Sequence, residues 1–479
     1  MTAATTVAVA PVAPARRLDA SSRTGASLAF GVAALAAAFG TALSTLMEHA
    51  ALALYGERMV AESETARLLL AIAGTLLIGV SVVVAAIVVR QALTGAVDDL
   101  RGEIALRRLL GATAGSERRR MLTRFVGVGV GGAAIGWVAG VLVALPVEAL
   151  LSQLPGGFEL TGMPPLMPAA LIPAGAVAVA AAAAAWLATR EVLAVTPLEA
   201  LRGSGIDVET VRRPRRRAAI VGLGIGALLL AAAVALGTLT PLAVLVGFAG
   251  GVVLVVGIVG IAPAVAPPLV ALAGRAMGRS VPARVAAGTL ATHPGRTASL
   301  VLALFVGAAI VTMMVTAGAS LTTSVLTIER DPVFRAELEA LLTGVTAVVT
   351  AIVGFSAVLG VLGFVAAMLL SVRRRTREIG LLRMLGLRRA HTMRMLLAEA
   401  GAITIVAVTT GFGVGLLLGW IGVQSMVGSV PGVVSTAPTI PWQLPLSLVV
   451  AGLAIATAAS LPAGRRASRI APLAAVAAD

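Results

Sequence analysis

The 479 residues are 58% hydrophobic and only 12% charged, with a mean hydropathy of +1.00. A soluble domain sits nearer roughly 45–50% apolar, so the composition excludes an ordinary soluble globule and places the chain in the membrane class. Cysteine is absent, which excludes disulfides and thiolate metal sites, and all 37 basic residues behind the net charge of +15 are arginine.

In chain order, residues 1–27 are rich in Ala, Val, Pro and Thr and lack the layout of a cleaved signal peptide. They are expected to be a disordered cytoplasmic tail. A helix needs about 20 apolar residues to cross the hydrocarbon core. Ten stretches meet that length: Leu28–Leu46, Leu68–Val89, Phe125–Leu145, Leu166–Ala188, Ala218–Leu236, Leu242–Val265, Leu300–Ala319, Leu341–Leu370, Leu396–Val423 and Leu444–Leu461. The runs are continuous rather than alternating, which points to helices and not to a barrel. The predicted fold is therefore an all-α polytopic membrane protein of about ten transmembrane helices.

Arginine placement sets the expected orientation. With the N-terminus in the cytoplasm, 33 arginines fall in cytoplasmic segments, and only Arg58, Arg67, Arg330 and Arg335 fall outside. Both termini are then cytoplasmic, in a multi-pass protein of the cell membrane. This distribution accounts for the basic charge without nucleic acid. Membrane lipids are the expected partners of that charge. The run Arg212-Arg213-Pro214-Arg215-Arg216-Arg217 reads either as a ligand for anionic headgroups or as a positive-inside stop.

The chain repeats itself. Glu103-Ile104-Ala105-Leu106-Arg107-Arg108-Leu109-Leu110-Gly111 returns as Glu378-Ile379-Gly380-Leu381-Leu382-Arg383-Met384-Leu385-Gly386. The offset that carries Glu103 to Glu378 also carries Pro197 to Pro472, Gly136 to Gly411 and Gly140 to Gly415. Arg23-Thr24 returns as Arg296-Thr297, at an offset shorter by two. The organisation expected is 4+2+4: a tail (1–27), a first four-helix unit (28–202), a basic linker with a two-helix insert (203–283), and a second four-helix unit (284–479). An even number of spans separates the copies, so the repeat is parallel.

Between the second and third spans of each unit lies an amphipathic stretch too polar to insert. Leu100, Ile104, Leu109 and Leu110 are expected on one side, opposite Asp99, Arg101, Glu103 and Arg107, with Glu103 and Arg107 as an i,i+4 pair. In the second copy Ile379, Leu382 and Leu385 are apolar, while Arg377, Glu378 and Arg383 are polar. Gly111 and Gly386 stand where such a helix would end. The stretch reads as a surface helix in the headgroups or as a docking helix for a cytoplasmic partner. The spacing of Gly127, Gly131, Gly132, Gly136 and Gly140, and of Gly411, Gly415 and Gly419, permits close helix approach. It fits either generic packing or a central interface between the halves.

Other chemistries find no support. Ionisable residues are nearly absent from the spans, against what an ion-coupled carrier requires. His49, His293 and His391 are too scattered for a zinc site. Without any lysine, no Gly-rich loop of the GxxxxGK[ST] type can hold the phosphates of ATP, so the chain is not expected to be an enzyme.

The segment Arg377–Gly386, followed by Glu399 at the start of the next span, resembles the signature of the FtsX/MacB-type ABC permease family. Thr196–Arg202 and Arg465–Leu473 resemble that family's pattern after the fourth span of each unit. The resemblance covers both four-span units. The first copy departs from it, with Arg124 where the second has Glu399 and Ala105 in place of Gly380. What the resemblance implies is a permease subunit working with a separate ABC ATPase dimer. That dimer would carry the ATP and magnesium and dock on the elbow residues Glu103, Ile104, Arg108 and Gly111, and on Arg377, Glu378, Ile379, Gly380, Arg383, Gly386 and Glu399. The expected task is export or extraction of a lipid, lipopeptide or antimicrobial peptide. The alternative is mechanotransmission to a cell-envelope enzyme or sensor kinase acting as an extracytoplasmic or sensor partner. The family's large external domain has no room here, because the acidic loops Met47–Arg67 and Ser320–Ala340 are too short to bury a core.

Overall fold

The computed structural model describes residues 30–42, 104–151, 171–190, 213–276, 294–326, 389–429 and 437–469, with scattered positions elsewhere, chiefly between 72 and 93. Apart from turns these residues are helical: α1 (Phe30–Ala42), α2 (Ala114–Leu151), α3 (Leu171–Thr189), α4 (Arg213–Gly237), α5 (Ala243–Ala276), α6 (Pro294–Leu326), α7 (Arg389–Val427) and α8 (Gln443–Arg469). Six of them, α2 to α7, are long and apolar enough to cross a membrane. The chain is a multi-pass all-α membrane protein. The rest of the ten expected spans rests on α1, on the apolar part of α8 and on stretches outside the described residues. The turn at Thr238–Pro241 makes α4 and α5 a tight hairpin, as their spacing predicts. Helix α6 continues to Leu326, through the first part of the segment expected as a loop from Ser320.

The glycine spacing settles the packing within each unit. A Cβ added at Gly132 would stand 2.8 Å from the carbonyl oxygen of Phe30, and one at Gly140 2.5 Å from that of Ala38 and 2.8 Å from the Thr41 Cβ. Gly136, between them, abuts the backbone of Ala34 and the Ala37 side chain. Helix α2 therefore rides directly on the backbone of α1. In the second unit Gly411 approaches the Phe305 carbonyl and the Ala308 Cβ, each 2.8 Å from an added Cβ. Gly415 meets Ala309 and Thr312, and Gly419 meets Met313. Helix α7 thus rides on α6. Both seams join the first and third spans of one unit, so these glycines do not form an interface between the halves. Gly127 and Gly413 face open space.

The repeat is visible in three dimensions. Val89, Leu93, Met121, Phe125 and Ala181 share one core cluster. Their counterparts at the elbow's offset, Phe364, Met368, Leu396, Ala400 and Ala456, share another. The volumes are exchanged rather than copied. Val89 with Phe125 becomes Phe364 with Ala400, and Leu93 with Met121 becomes Met368 with Leu396. A core filled this way keeps its total volume, which is what close packing demands. The first helices correspond at an offset shorter by four, which pairs Ala34 with Phe305, Ala38 with Ala309 and Thr41 with Thr312 across the two seams. The offset read at Arg23 does not hold along α1, because the second unit carries four more residues between its first and second spans. Arg23 and Thr24 themselves lie outside the described residues.

The α4–α5 hairpin packs on the second unit, against α6 and α7. Gly237 meets the backbone of Gln424 and Ser425, and Gly247 meets the Ser425 hydroxyl. The second span of the first unit reaches this body as well. Gly79 faces the Phe248 ring, and Ile87 joins the core of Ala262, Ala266 and Val270. Residues 437–442, ahead of α8, are held over the end of α6 by a hydrogen bond from the Thr439 amide to the Ser320 hydroxyl at 3.2 Å.

The seams give a test with an internal control. Gly136→Val and Gly415→Val should each lower stability in detergent by about 1–3 kcal/mol, because the added carbons meet backbone that cannot move aside. Gly127→Ala and Gly413→Ala, set in open space, should leave the melting temperature unchanged. Thermal unfolding of the purified chain reads the difference.

Candidate coupling site at the arginine-rich face

The first elbow is a short helix over 104–109 that ends in a turn at Leu110 and Gly111. The Gly111 amide donates to the Arg108 carbonyl and the Ala112 amide to the Arg107 carbonyl, at 3.1 and 3.0 Å. This crossed pair, with a left-handed residue at its centre, is a Schellman cap. Gly111 supplies the left-handed residue at φ 101°, the only positive φ among the described residues. The chain then enters α2 through Thr113, whose hydroxyl accepts from the Ser116 amide at 3.2 Å as an N-cap. Elbow and α2 are thus joined by two capped ends with little slack.

The elbow's faces differ from the sequence expectation. Ile104 and Ala105 are buried and pack on Met121, Phe125 and Ala185, while Arg108 is half-buried. Leu109 is 46% exposed and Leu110 82%, with Leu106 also exposed. At about 100° per residue, positions five and six beyond Ile104 lie about 140° and 240° around the helix, so they cannot share its buried side. The elbow presents three leucines outward.

Among the described residues each unit buries one glutamate on its third helix, at different heights. In the first, Glu117 in the opening turn of α2 stands 3.7 Å from Arg107 of the elbow and 3.9 Å from Arg120. These are charge contacts beyond hydrogen-bond reach. The Arg107 contact ties the elbow to α2. In the second, Glu399 on α7 is fully buried and accepts a 2.9 Å hydrogen bond from the Arg296 guanidinium at the start of α6. This pair ties the third helix to the first. Arg124, at the position equivalent to Glu399, is exposed. Sequence reasoning singled out Glu399 but missed its partner, since Arg296 read only as an orientation charge; it also missed Glu117, whose position bears Thr392 in the second unit.

Glu103, Arg377, Glu378, Ile379, Gly380, Arg383 and Gly386 lie outside the described residues. No group of three or more metal-ligating side chains occurs among the described ones.

One capped elbow, with glycine seams and paired cores in two copies, defines a duplicated, multi-pass helical membrane protein. The family model of the FtsX-like permease C-terminal region matches it twice, over residues 75–197 and 350–472, set apart by the elbow's own offset and together covering more than half the chain. The chain belongs to the FtsX-like permease family. It is similar to the uncharacterized ABC transporter permease YknZ of Bacillus subtilis, with 29% identity over 141 residues, 29% of this chain and 34% of that protein. It is similar to the macrolide export ATP-binding/permease protein MacB of Vibrio parahaemolyticus, with 31% identity over 158 residues, 33% of this chain and 23% of that protein. The pyoverdine export ATP-binding/permease protein PvdT of Pseudomonas fluorescens shares 39% over 77 residues, 16% of this chain and 12% of that protein. The matched segments thus span about a third or less of each relative.

The buried pair of the second unit yields a double-mutant prediction. Glu399→Met alone removes the carboxylate from the Arg296 guanidinium and should cost about 3–5 kcal/mol, whereas Arg296→Met/Glu399→Met together should restore most of that loss. Denaturation of the two variants beside the parent measures it.

Proposed function

We propose that this chain is the membrane-spanning permease subunit of an ATP-driven ABC transporter, and that its arginine-rich face is cytoplasmic. ATP and magnesium belong to a partner ATPase, a dimer docked on the two elbows, since a chain without lysine has no phosphate-binding loop of the usual kind. The observation that carries this reading is the duplicated family region, with an elbow in the first copy that turns Leu106, Leu109 and Leu110 outward beside arginines. A second docking element is expected at Arg377, Glu378, Ile379, Gly380, Arg383 and Gly386. Ile104, Arg108, Gly111 and Glu399 then act from inside, by fixing elbow and helices rather than by touching the partner.

Closure of the ATPase dimer would push each elbow. In the first unit the short capped link and the Arg107–Glu117 contact pass that push to α2. At 38 residues and about 1.5 Å per residue, α2 is about 57 Å long, enough to carry displacement across the bilayer. The α1–α2 seam makes both helices move as one body. The cargo class we favour is hydrophobic or amphipathic: a lipid, lipopeptide or antimicrobial peptide. The export functions named for two of the relatives support it. Power from an external ATPase also agrees with spans that hold almost no ionisable residues.

Reconstitution with the ATPase that co-purifies tests the assignment. Glu378→Ala/Arg383→Ala and, separately, Leu110→Glu should abolish permease-stimulated ATP hydrolysis while membrane insertion persists. Loss of one buried leucine contact, about 2 kcal/mol, corresponds to roughly thirtyfold weaker docking. Stimulation that survives both changes would remove the docking assignment. Stimulated hydrolysis without movement of any lipid or peptide would favour mechanotransmission instead.

A further inference from the structure

A cluster outside the elbows carries a separate reading, independent of ATPase coupling. Trp186 lies in the last turn of α3, with its ring exposed. Arg190 stacks on that ring, its guanidinium carbon 3.6 Å from the ring centre, and Arg118 from the second turn of α2 approaches to 5.9 Å. Both distances lie within cation–π range. The Arg118 Nε is buried and has no hydrogen-bond partner. The neighbouring carboxylate, Glu117, turns to Arg107 and Arg120. Among the described residues, no carboxylate pairs with Arg118 or Arg190. Two guanidinium groups therefore converge on one ring.

The depth of the cluster narrows the ligand. Trp186 ends an apolar span, and Arg118 stands two helical turns before the apolar run that opens at Phe125, so the ring sits at the edge of the hydrocarbon, where aromatic belts lie. Val179, Ala183 and Leu187 run away from it along α3, four residues apart and all exposed. They form an apolar strip leading from the two cations into the membrane. A phosphate at the arginines with an acyl chain on that strip matches both halves of the surface. The second unit has Met393, Leu461 and Arg465 at the equivalent positions, so one cation remains and the ring is gone.

We infer that Arg118, Trp186 and Arg190 bind the phosphate of an anionic phospholipid, one per chain, on the first unit only. The phosphate bridges the two guanidinium groups by charge-assisted hydrogen bonds, and Trp186 holds Arg190 in place.

The experiment counts phosphatidylglycerol retained by the intact chain, by native mass spectrometry after extraction from phosphatidylcholine–phosphatidylglycerol vesicles. The parent should retain one lipid molecule more than Arg118→Gln/Arg190→Gln. Arg190→Gln alone, at an exposed site at the end of α3, should weaken retention about tenfold. Arg275→Gln/Arg394→Gln, equal in charge change but at exposed sites on α5 and α7, should retain as the parent does. In a second arm, Trp186 emission is followed in a variant whose other tryptophans are phenylalanine, with phosphatidylglycerol or with inorganic phosphate added to phosphatidylcholine nanodiscs. A response to the lipid and none to inorganic phosphate is expected. Equal retention by the Arg118/Arg190 variants and the parent would overturn the site, and an equal response to inorganic phosphate would overturn the lipid assignment.

Discussion

Everything in each unit is hung on the close approach of its first and third helices. Glycine on one helix lets the backbone of the other come where a methyl group would not fit. In a bilayer, with no hydrophobic force to draw helices together, such contact is the main source of cohesion. The seam also fixes the register between the two helices, because its small residues recur every four positions: Gly132, Gly136 and Gly140 against α1, and Gly411, Gly415 and Gly419 against α6. From that register follow the position of the elbow beneath α2 and the burial of Ile104 among Met121 and Phe125. A rigid pair of helices with a capped elbow at one end is a device for passing displacement.

The two units are built alike but tied differently at their arginine-rich ends. The first spends its buried carboxylate on the elbow, through Glu117 and Arg107. The second spends Glu399 on the first helix of its own unit, through Arg296. The α4–α5 hairpin adds to the difference, since it packs on α6 and α7. Between equivalent third helices, α7 under the hairpin buries half of its apolar window, where α2 buries a third. The difference lies in the inserted hairpin and in where each glutamate stands.

Much of this was legible in the sequence. Long apolar runs placed the described helices to within a turn or so at about half of their ends, whereas α6, α7 and α8 overrun by about two turns and α2 and α5 by about three. The extra turns of α2 are charged and carry no hydropathy signal; those of α5 are apolar but pass through Pro267 and Pro268, which read as a break. The constant offset between the copies was readable because the elbow and the glycines are held by backbone geometry, which tolerates few residue types. The core was not readable as a repeat. Its side chains trade places between copies, as Phe125 and Phe364 do, so that volume is kept while identity is lost. The spacing also left open which glycines form the seam, since Gly127 and Gly131 share the spacing of Gly136 yet face open space or an ordinary ring contact. The outward turn of Leu109 and Leu110 needed angular bookkeeping that a list of apolar positions does not supply. Partners distant in sequence, such as Arg296 and Glu399, could not be paired without coordinates.

The absence of native cysteine permits a direct test of the seam. Phe30→Cys/Gly131→Cys and Val301→Cys/Val406→Cys pair equivalent positions beside the seams, where a Cβ at Gly131 makes only an ordinary contact with the Phe30 ring and Val301 and Val406 share one core cluster. In native membranes a short bifunctional thiol reagent should close each of these pairs within its unit, and should not close the cross-unit pair Phe30→Cys/Val406→Cys. Closure of the cross-unit pair, with failure of both in-unit pairs, would contradict the architecture on which the account stands.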